Sequence, residues 1–285
     1  MSNTKTIIIS GCGFKYLDIN DMSIVDNVFT DKNVKINIGA ATAYSLAQSN
    51  YNLILISRTI SKLELIRKSL LSSFPNISIK IFAIDLLSED DISKFVSQLD
   101  FENNVYYYVH CAGISAGSYK IKDDNPYLSI EDTPLNLPTI EFESVVKTLL
   151  IMIQALLPVF KKQLESRMVI VSSMSGIRAV PLGFSHVSAK AGLHNATRSL
   201  TLELNKLNIF ISEVLPGAVD TGLYDNDIVK DNVRKMGESF GYSYSNIPMM
   251  PPKAVADAVK LCIESESHIL SINLVAQGQW PNLSA

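Results

Sequence analysis

Two glycine-bearing stretches are of the kind that brings backbone close to a phosphate. Ser10-Gly11-Cys12-Gly13 follows a short apolar run, and Asn37-Ile38-Gly39 opens an alanine-rich stretch of helical period. Glycines at a strand-to-helix turn let backbone N–H groups approach a pyrophosphate at the positive end of the helix dipole. The usual G-x-x-x-G-x-G spacing is split here by residues 14–36, and Asn37 stands where its middle glycine belongs. Asparagine tolerates positive φ better than most residues, so the turn can survive the exchange. A glycine turn also simply ends strands, and the signal needs a partner. Ile56-Ser57-Arg58 supplies one at the end of a second apolar run, with no carboxylate for a ribose 2′-hydroxyl and a guanidinium for a 2′-phosphate. These residues favour NADP over NAD, the plain alternative being that Arg58 is a solvated loop cation.

The elements that must position these groups follow from periodicity. Strands are expected at residues 6–10, 52–57, 77–84, 105–109, 168–172, 209–214 and 268–275, several as near-continuous apolar runs. Helices are expected between them at 39–49, 61–73, 88–98, 142–163, 188–207 and 252–265, with Ser88 and Asp91 as one cap and Pro252 in another first turn. The alternation predicts an α/β fold, a parallel sheet flanked by helices, in one domain over residues 1–285. Three stretches break the rhythm, 14–36, 114–140 and 219–250, each after the C-terminal end of a strand, where open α/β sheets bind ligands. The first is an insertion in the glycine-rich loop, expected to fold over the cofactor phosphates. The last holds Leu223, Tyr224, Phe240, Tyr242, Tyr244, Met249 and Met250, an apolar and aromatic supply suited to a substrate lid.

Composition narrows the classes. With 47% hydrophobic and 19% charged residues the chain can bury a large interior, which argues against disorder and fibres. The 25 basic and 28 acidic residues lack the basic excess that phosphate-backbone binding requires, so nucleic acid is not an expected partner. Cys12, Cys111 and Cys262 are odd in number and widely spaced, which fits a reducing, cytoplasmic setting better than a disulfide or zinc framework. The opening apolar run is too short for a signal peptide, and no uninterrupted apolar stretch approaches a membrane span.

From Ile7 to about Thr221 the order of motifs resembles the short-chain dehydrogenase/reductase family. The carrying residues are Ser10-Gly11 with Asn37-Ile38-Gly39, Asp85-Leu86, His110-Cys111-Ala112-Gly113, and Gln154 through Pro158. Val171-Ser172-Ser173, Pro181, Ser188-Ala189-Lys190-Ala191 and Pro216-Gly217 through Thr221 complete the set. The resemblance implies a Rossmann-type, doubly wound sheet, a nicotinamide cofactor, hydride transfer between alcohol and carbonyl, and a homodimer or homotetramer joined through two long helices. It places the cofactor on Gly11, Gly13, Asn37, Ile38, Gly39, Ser57, Arg58, Asp85, Leu86, Ala112, Gly113, Lys190, Pro216, Gly217 and Thr221. It gives Ser173 the polarising of the substrate oxygen and Lys190 the ribose.

The family's proton-exchanging tyrosine is missing. Its position, four before Lys190 and thirteen after Ser173, is His186, and Val145 falls where the family keeps an asparagine that holds a relay water. His110-Cys111 stand in place of the usual paired asparagines, so that segment carries over as structure rather than catalysis. Imidazole is a competent acid or base near neutrality, but an adjacent Lys190 cation pushes it toward the neutral form, a weaker acid for reduction and a usable base for oxidation. Other tyrosines near the loops are Tyr119, Tyr127, Tyr224, Tyr242 and Tyr244, none at family spacing. Two functions remain: an NADP-dependent oxidoreductase acting on a hydrophobic small molecule, and a redox-silent, cofactor-binding relative serving as a binding or regulatory protein. No metal site, nucleic-acid partner or membrane partner is expected.

Overall fold

The computed structural model of the chain describes residues 4–17, 25–100, 104–113, 128–225, 227–239, 241 and 247–279. The β-branched runs form strands β1 (Thr4–Ser10), β4 (Asn52–Ser57), β5 (Ile79–Ala83), β6 (Asn104–His110), β7 (Ser166–Val171), β8 (Ile209–Pro216) and β9 (Ser271–Leu274). They make one seven-stranded sheet in the order β5-β4-β1-β6-β7-β8-β9, and every pairing in it is parallel. The helices are α1 (Ile38–Gln48), α2 (Ile60–Ser73), α3 (Glu89–Val96), α4 (Leu137–Phe142), α5 (Thr148–Phe160), α6 (Phe184–Leu204), α7 (Asp227–Ser239) and α8 (Pro252–Glu264). The expected Rossmann-type, doubly wound architecture is therefore what the chain adopts.

Strand alternation divides the core between the two faces of the sheet. Ile7 and Ile9 point into one apolar cluster with Leu46 of α1 and Val259 of α8. Ile8 points into the other with Phe95 of α3, Phe160 of α5 and Leu193 of α6. All three isoleucines are fully buried, each contributing about 1.5–3 kcal/mol. Neighbouring strands β1 and β6 lead to helices on opposite faces, and the crevice opened between their carboxyl ends is where such sheets bind ligands.

Local chemistry sets most boundaries. Ser88 caps α3, its Oγ accepting from Asp91 N at 3.2 Å, as expected. Asn50, at φ 62, takes the left-handed conformation that closes the end of α1.

Two boundaries differ from expectation. The long helix expected over 142–163 is α4, a π turn over Glu143–Lys147, and α5. Together these form a helical run, Leu137–Phe160, long and apolar enough to cross a membrane, yet Leu149, Met152, Leu156 and Phe160 pack on the sheet. The helix expected from 188 begins four residues earlier, at Phe184, because the Gly183 carbonyl accepts from Val187 N at 2.8 Å.

The 14–36 insertion has structure of its own. Strands β2 (Phe14–Tyr16) and β3 (Val34–Ile36) form a separate antiparallel ribbon, with Phe14 opposite Ile36.

Candidate active site

At the nucleotide end, Gly11 has φ 82, and a methyl group there would meet the Cys111 carbonyl and Ala112 N at 2.7 Å. A methyl on Gly39 would stand 2.5 Å from Gly11 O, so α1 approaches the turn through glycine alone. Asn37 works differently from the expectation. Its φ is −86, in ordinary extended backbone, and it is the N-cap of α1. Its Oδ1 accepts from Ala40 N at 2.9 Å and Gly13 N at 3.0 Å, while its Nδ2 donates to Gly11 O at 2.8 Å. One amide therefore staples the two halves of the split loop to the helix start, where a glycine would have relied on conformational freedom.

This turn lines a cavity of about 650 Å³, with Gly11, Gly13, Asn37, Ile38, Gly39, Ser57, Arg58, Asp85, Leu86, Ala112, Gly113 and Thr221 on its walls. The glycine cradle, the N-terminus of α1 and Arg58 fit a dinucleotide phosphate. The same walls carry Lys15, Lys35 and Lys62. Burial pulls the Lys62 ammonium below its ordinary range, and it donates to Phe14 O at 2.9 Å.

A second cavity of about 290 Å³ shares Ile38, Cys111, Gly113, Ser144, Thr221 and Leu223 with the first, so the two form one cleft. Ser173, His186, Lys190, Pro216 and Gly217 line it. Every residue named from the sequence for cofactor or catalysis therefore stands on this cleft. Ser173 ends the β7 extension, and its Oγ accepts from Ser175 N at 3.1 Å, which leaves its own proton to donate. His186 and Lys190, four apart on α6, share a helix face. Among the described residues neither side chain has a hydrogen-bond partner.

The electrostatics of this half are those of a poorly hydrated pocket. Desolvation, then the Lys190 charge, lowers His186 to about 4. Desolvation lowers Lys190 to about 8 against the pull of Glu141, Glu213 and Cys111. Burial raises Glu141 to about 7 although Lys190 opposes the shift. Burial likewise raises Glu213, whose Oε2 lies 2.7 Å from His194 Nδ1. Cys111 is pushed up to about 12 by burial and is no thiolate at neutral pH.

His110 supports the centre of the sheet. Its Nδ1 lies 2.6 Å from Tyr108 OH, which lies 2.9 Å from Ser10 Oγ, so a buried polar chain ties β6 to β1. Val145 holds the position counted for the family's asparagine: a methyl on Gly113 would meet Val145 Cγ1 at 3.2 Å and Lys190 Nζ at 3.7 Å.

The ribbon and the 219–250 segment meet at the mouth. Lys35 Nζ bonds Asp220 and Asp225, both at 2.7 Å, and Lys15 Nζ donates to Gly222 O at 3.0 Å. A Val219–Met250 bridge closes the base of the segment. Val229, Val233 and Met236 of α7 pack with Leu182 and Tyr224, and Val233, Met236 and Tyr224 line the smaller cavity. Tyr119, Tyr127, Phe240, Tyr242 and Tyr244 lie outside the described residues.

Sequence reasoning missed Glu141, Gln279 and the three lysines. Gln279 Oε1 accepts from Ala218 N at 3.0 Å beside Gly217, a contact spanning 61 residues that no local pattern announces. The lysines had a signal, cations flanking the split glycine loop. Glu141 had one too, an acid one helical turn before Val145.

Comparison with known proteins agrees with this geometry. Residues 36–231 match the family described as short chain dehydrogenase. An uncharacterised oxidoreductase of Staphylococcus epidermidis is 25% identical over 233 residues, covering 81% of this chain and 88% of that protein. Among solved structures, an alcohol dehydrogenase from the archaeon Thermococcus sibiricus complexed with 5-hydroxy-NADP superposes with a TM-score of 0.72 at 18% identity, covering 98% of this chain and 100% of that one. An NADPH-bound short chain oxidoreductase from Pseudomonas aeruginosa, described as containing an atypical catalytic center, gives 0.73 at 15% identity over 98% and 97%.

Proposed function

The chain belongs to the short chain dehydrogenase family of nicotinamide-dependent oxidoreductases, and on that premise we propose that it uses NADPH to reduce the carbonyl of a hydrophobic small molecule, with His186 in place of the family's tyrosine. The observation that carries this reading is the single cleft in which a phosphate-cradling turn leads directly to Ser173, His186 and Lys190.

Arg58 and Lys62, with no acid at Ser57, support a 2′-phosphate, and the NADP-type ligands bound in both structural neighbours agree. When bound, the nicotinamide supplies the hydride. Ser173 Oγ–H orients and polarises the substrate oxygen, and the His186 imidazole, neutral at pH 7, offers an N–H to the same atom. Lys190 holds the ribose and keeps a cation beside the developing charge. The apolar side chains of Val145, Val180, Val233 and Met236 on the cavity wall support an apolar substrate and exclude water.

In this reading residues 1–285 form one domain, the 14–36 ribbon covers the phosphates, and residues 219–250 are the substrate lid. Half-exposed Leu150 of α5 and largely exposed Leu202 of α6 support a homodimer or homotetramer through the two long helices. Three free cysteines support a cytoplasmic setting.

The test follows NADPH and NADH oxidation by the full-length protein over a panel of apolar ketones and aldehydes, alongside fluorescence titration of both cofactors. NADPH-dependent turnover with weaker use of NADH is expected. Tight NADPH binding without turnover of any carbonyl would replace this reading with the redox-silent one.

A further inference from the structure

We propose that Glu141 is the proton-holding residue of this site, acting through Lys190 and His186 in the role the family gives to an asparagine and its water. The inference rests on the oxidoreductase reading above and deepens it.

The place of that asparagine is filled by Val145, whose apolar side chain has no group to hydrogen-bond a relay water. One turn earlier on the same helical run, Glu141 is 3% exposed and lines the same cavity as Ser173, His186 and Lys190. Its Oε2 is buried with no hydrogen-bond partner among the described residues, a costly arrangement for a structural carboxyl. α4 packs against α6, the helix that carries both His186 and Lys190. The titratable groups that act on Lys190 are Glu141, Cys111 after β6 and Glu213 from β8, and Lys190 in turn acts on His186 of α6 and His110 of β6. Arg178 and Tyr224 also line the cavity wall. Glu213 is committed to His194 and is not on that wall, which leaves Glu141 as the carboxyl free to exchange a proton there.

Reduction needs one proton for each hydride delivered. His186 is lowered to about 4, so it has no surplus proton at pH 7, and its neutral ring can only relay. Lys190, lowered to about 8, is largely protonated at pH 7 and gives its proton first, and Glu141, raised to about 7, holds a populated acid form that replaces it. The balanced sequence is short. As hydride adds to the carbonyl carbon, the C=O π pair moves to oxygen, which takes the proton from one imidazole nitrogen. The other ring nitrogen takes a proton from Lys190 Nζ, Glu141 restores it, and Glu141 recovers its own from water. Glu141 is thus a positioning residue for protons.

Infrared titration of the cofactor-free, full-length protein carrying 13C-labelled glutamate tests the carboxyl directly. A protonated-carboxyl band that disappears as pH rises through about 7 is expected in the native protein and absent from Glu141→Gln. In steady-state reduction, Glu141→Gln should lower kcat at least about tenfold and abolish the ionisation near neutrality, with the NADPH Kd within about twofold of native. Glu141→Asp should recover part of kcat with a displaced profile, and it decides the question in the same way should glutamine disturb folding. Native turnover with an unchanged pH profile in both variants overturns the proton-holding role and leaves the oxidoreductase reading standing. A band titrating near 7 that persists at native intensity in Glu141→Gln also overturns it, whereas a residual band belongs to Glu213, whose carboxyl burial raises too. Absence of any native turnover overturns both.

Discussion

The two ends of the cleft handle charge in opposite ways. At the nucleotide end, cations stand on the cavity wall, and the split glycine loop is set by backbone contacts and one amide, Asn37. At the catalytic end, His186, Lys190 and Glu141 sit in a poorly hydrated pocket and are displaced to about 4, 8 and 7. The first offers backbone donors, a helix N-terminus and cations on its wall, which fit a phosphate. The second moves Lys190 and Glu141 from opposite sides toward the neutral range, where proton transfer operates, and moves His186 out of it to about 4, so that its ring stays neutral at pH 7.

The largest effect that sharpens this contrast is expected at Lys190. Lys190→Met should lower kcat for carbonyl reduction by about 10³-fold or more and also weaken the cofactor, because the residue stands beside Gly113, which lines both halves of the cleft. A variant with native kcat would break the division. Next comes His186→Ala, with a loss of about 10²- to 10⁴-fold in kcat and nearly native NADPH affinity. Turnover unaffected by this change would move the proton-transfer role to another group, with Tyr224 first because it lines the same cavity.

His186 also gives a stability signature. Its folded value is lowered from 6.5 to about 4, so the unfolded chain binds the extra proton between those values. Stability from this group is present above about 6.5 and lost as pH falls toward 4. Urea unfolding should show His186→Ala gaining on the native protein over that window by on the order of 2 to 3 kcal/mol. Parallel stability curves would mean the ring is well hydrated.

At the other end, Arg58→Ala should weaken NADPH about 10- to 100-fold and leave NADH and kcat nearly unchanged, as for a lost charge-assisted contact. Equal effects on both cofactors would remove the 2′-phosphate assignment. The smallest change is expected at Lys35→Ala, which breaks the two partly exposed ion pairs that join the ribbon to Asp220 and Asp225. Thermal unfolding should register about 1 kcal/mol or less, with a few-fold rise in KM for the carbonyl.

The sequence by itself determined the layout. Apolar runs of strand and helix period specify the parallel sheet, since a strand buried on both faces has no other composition available. Gly11 and Gly39 were legible because a strand-to-helix turn leaves few substitutes for glycine, and Ser173 and Lys190 through the order of the family's motifs around them. Tertiary structure decided the rest. Asn37 was read as a tolerated glycine replacement and proved to be a staple, because its three partners lie on both sides of the insertion. The insertion became a ribbon only through pairing of residues about twenty apart. Glu141 lies one residue before the helix expected over 142–163, and only the packing of α4 against α6 brings it to the cavity. Its proton affinity and that of His186 depend on which groups share a buried volume, and that depends on contacts between distant elements rather than on spacing along the chain.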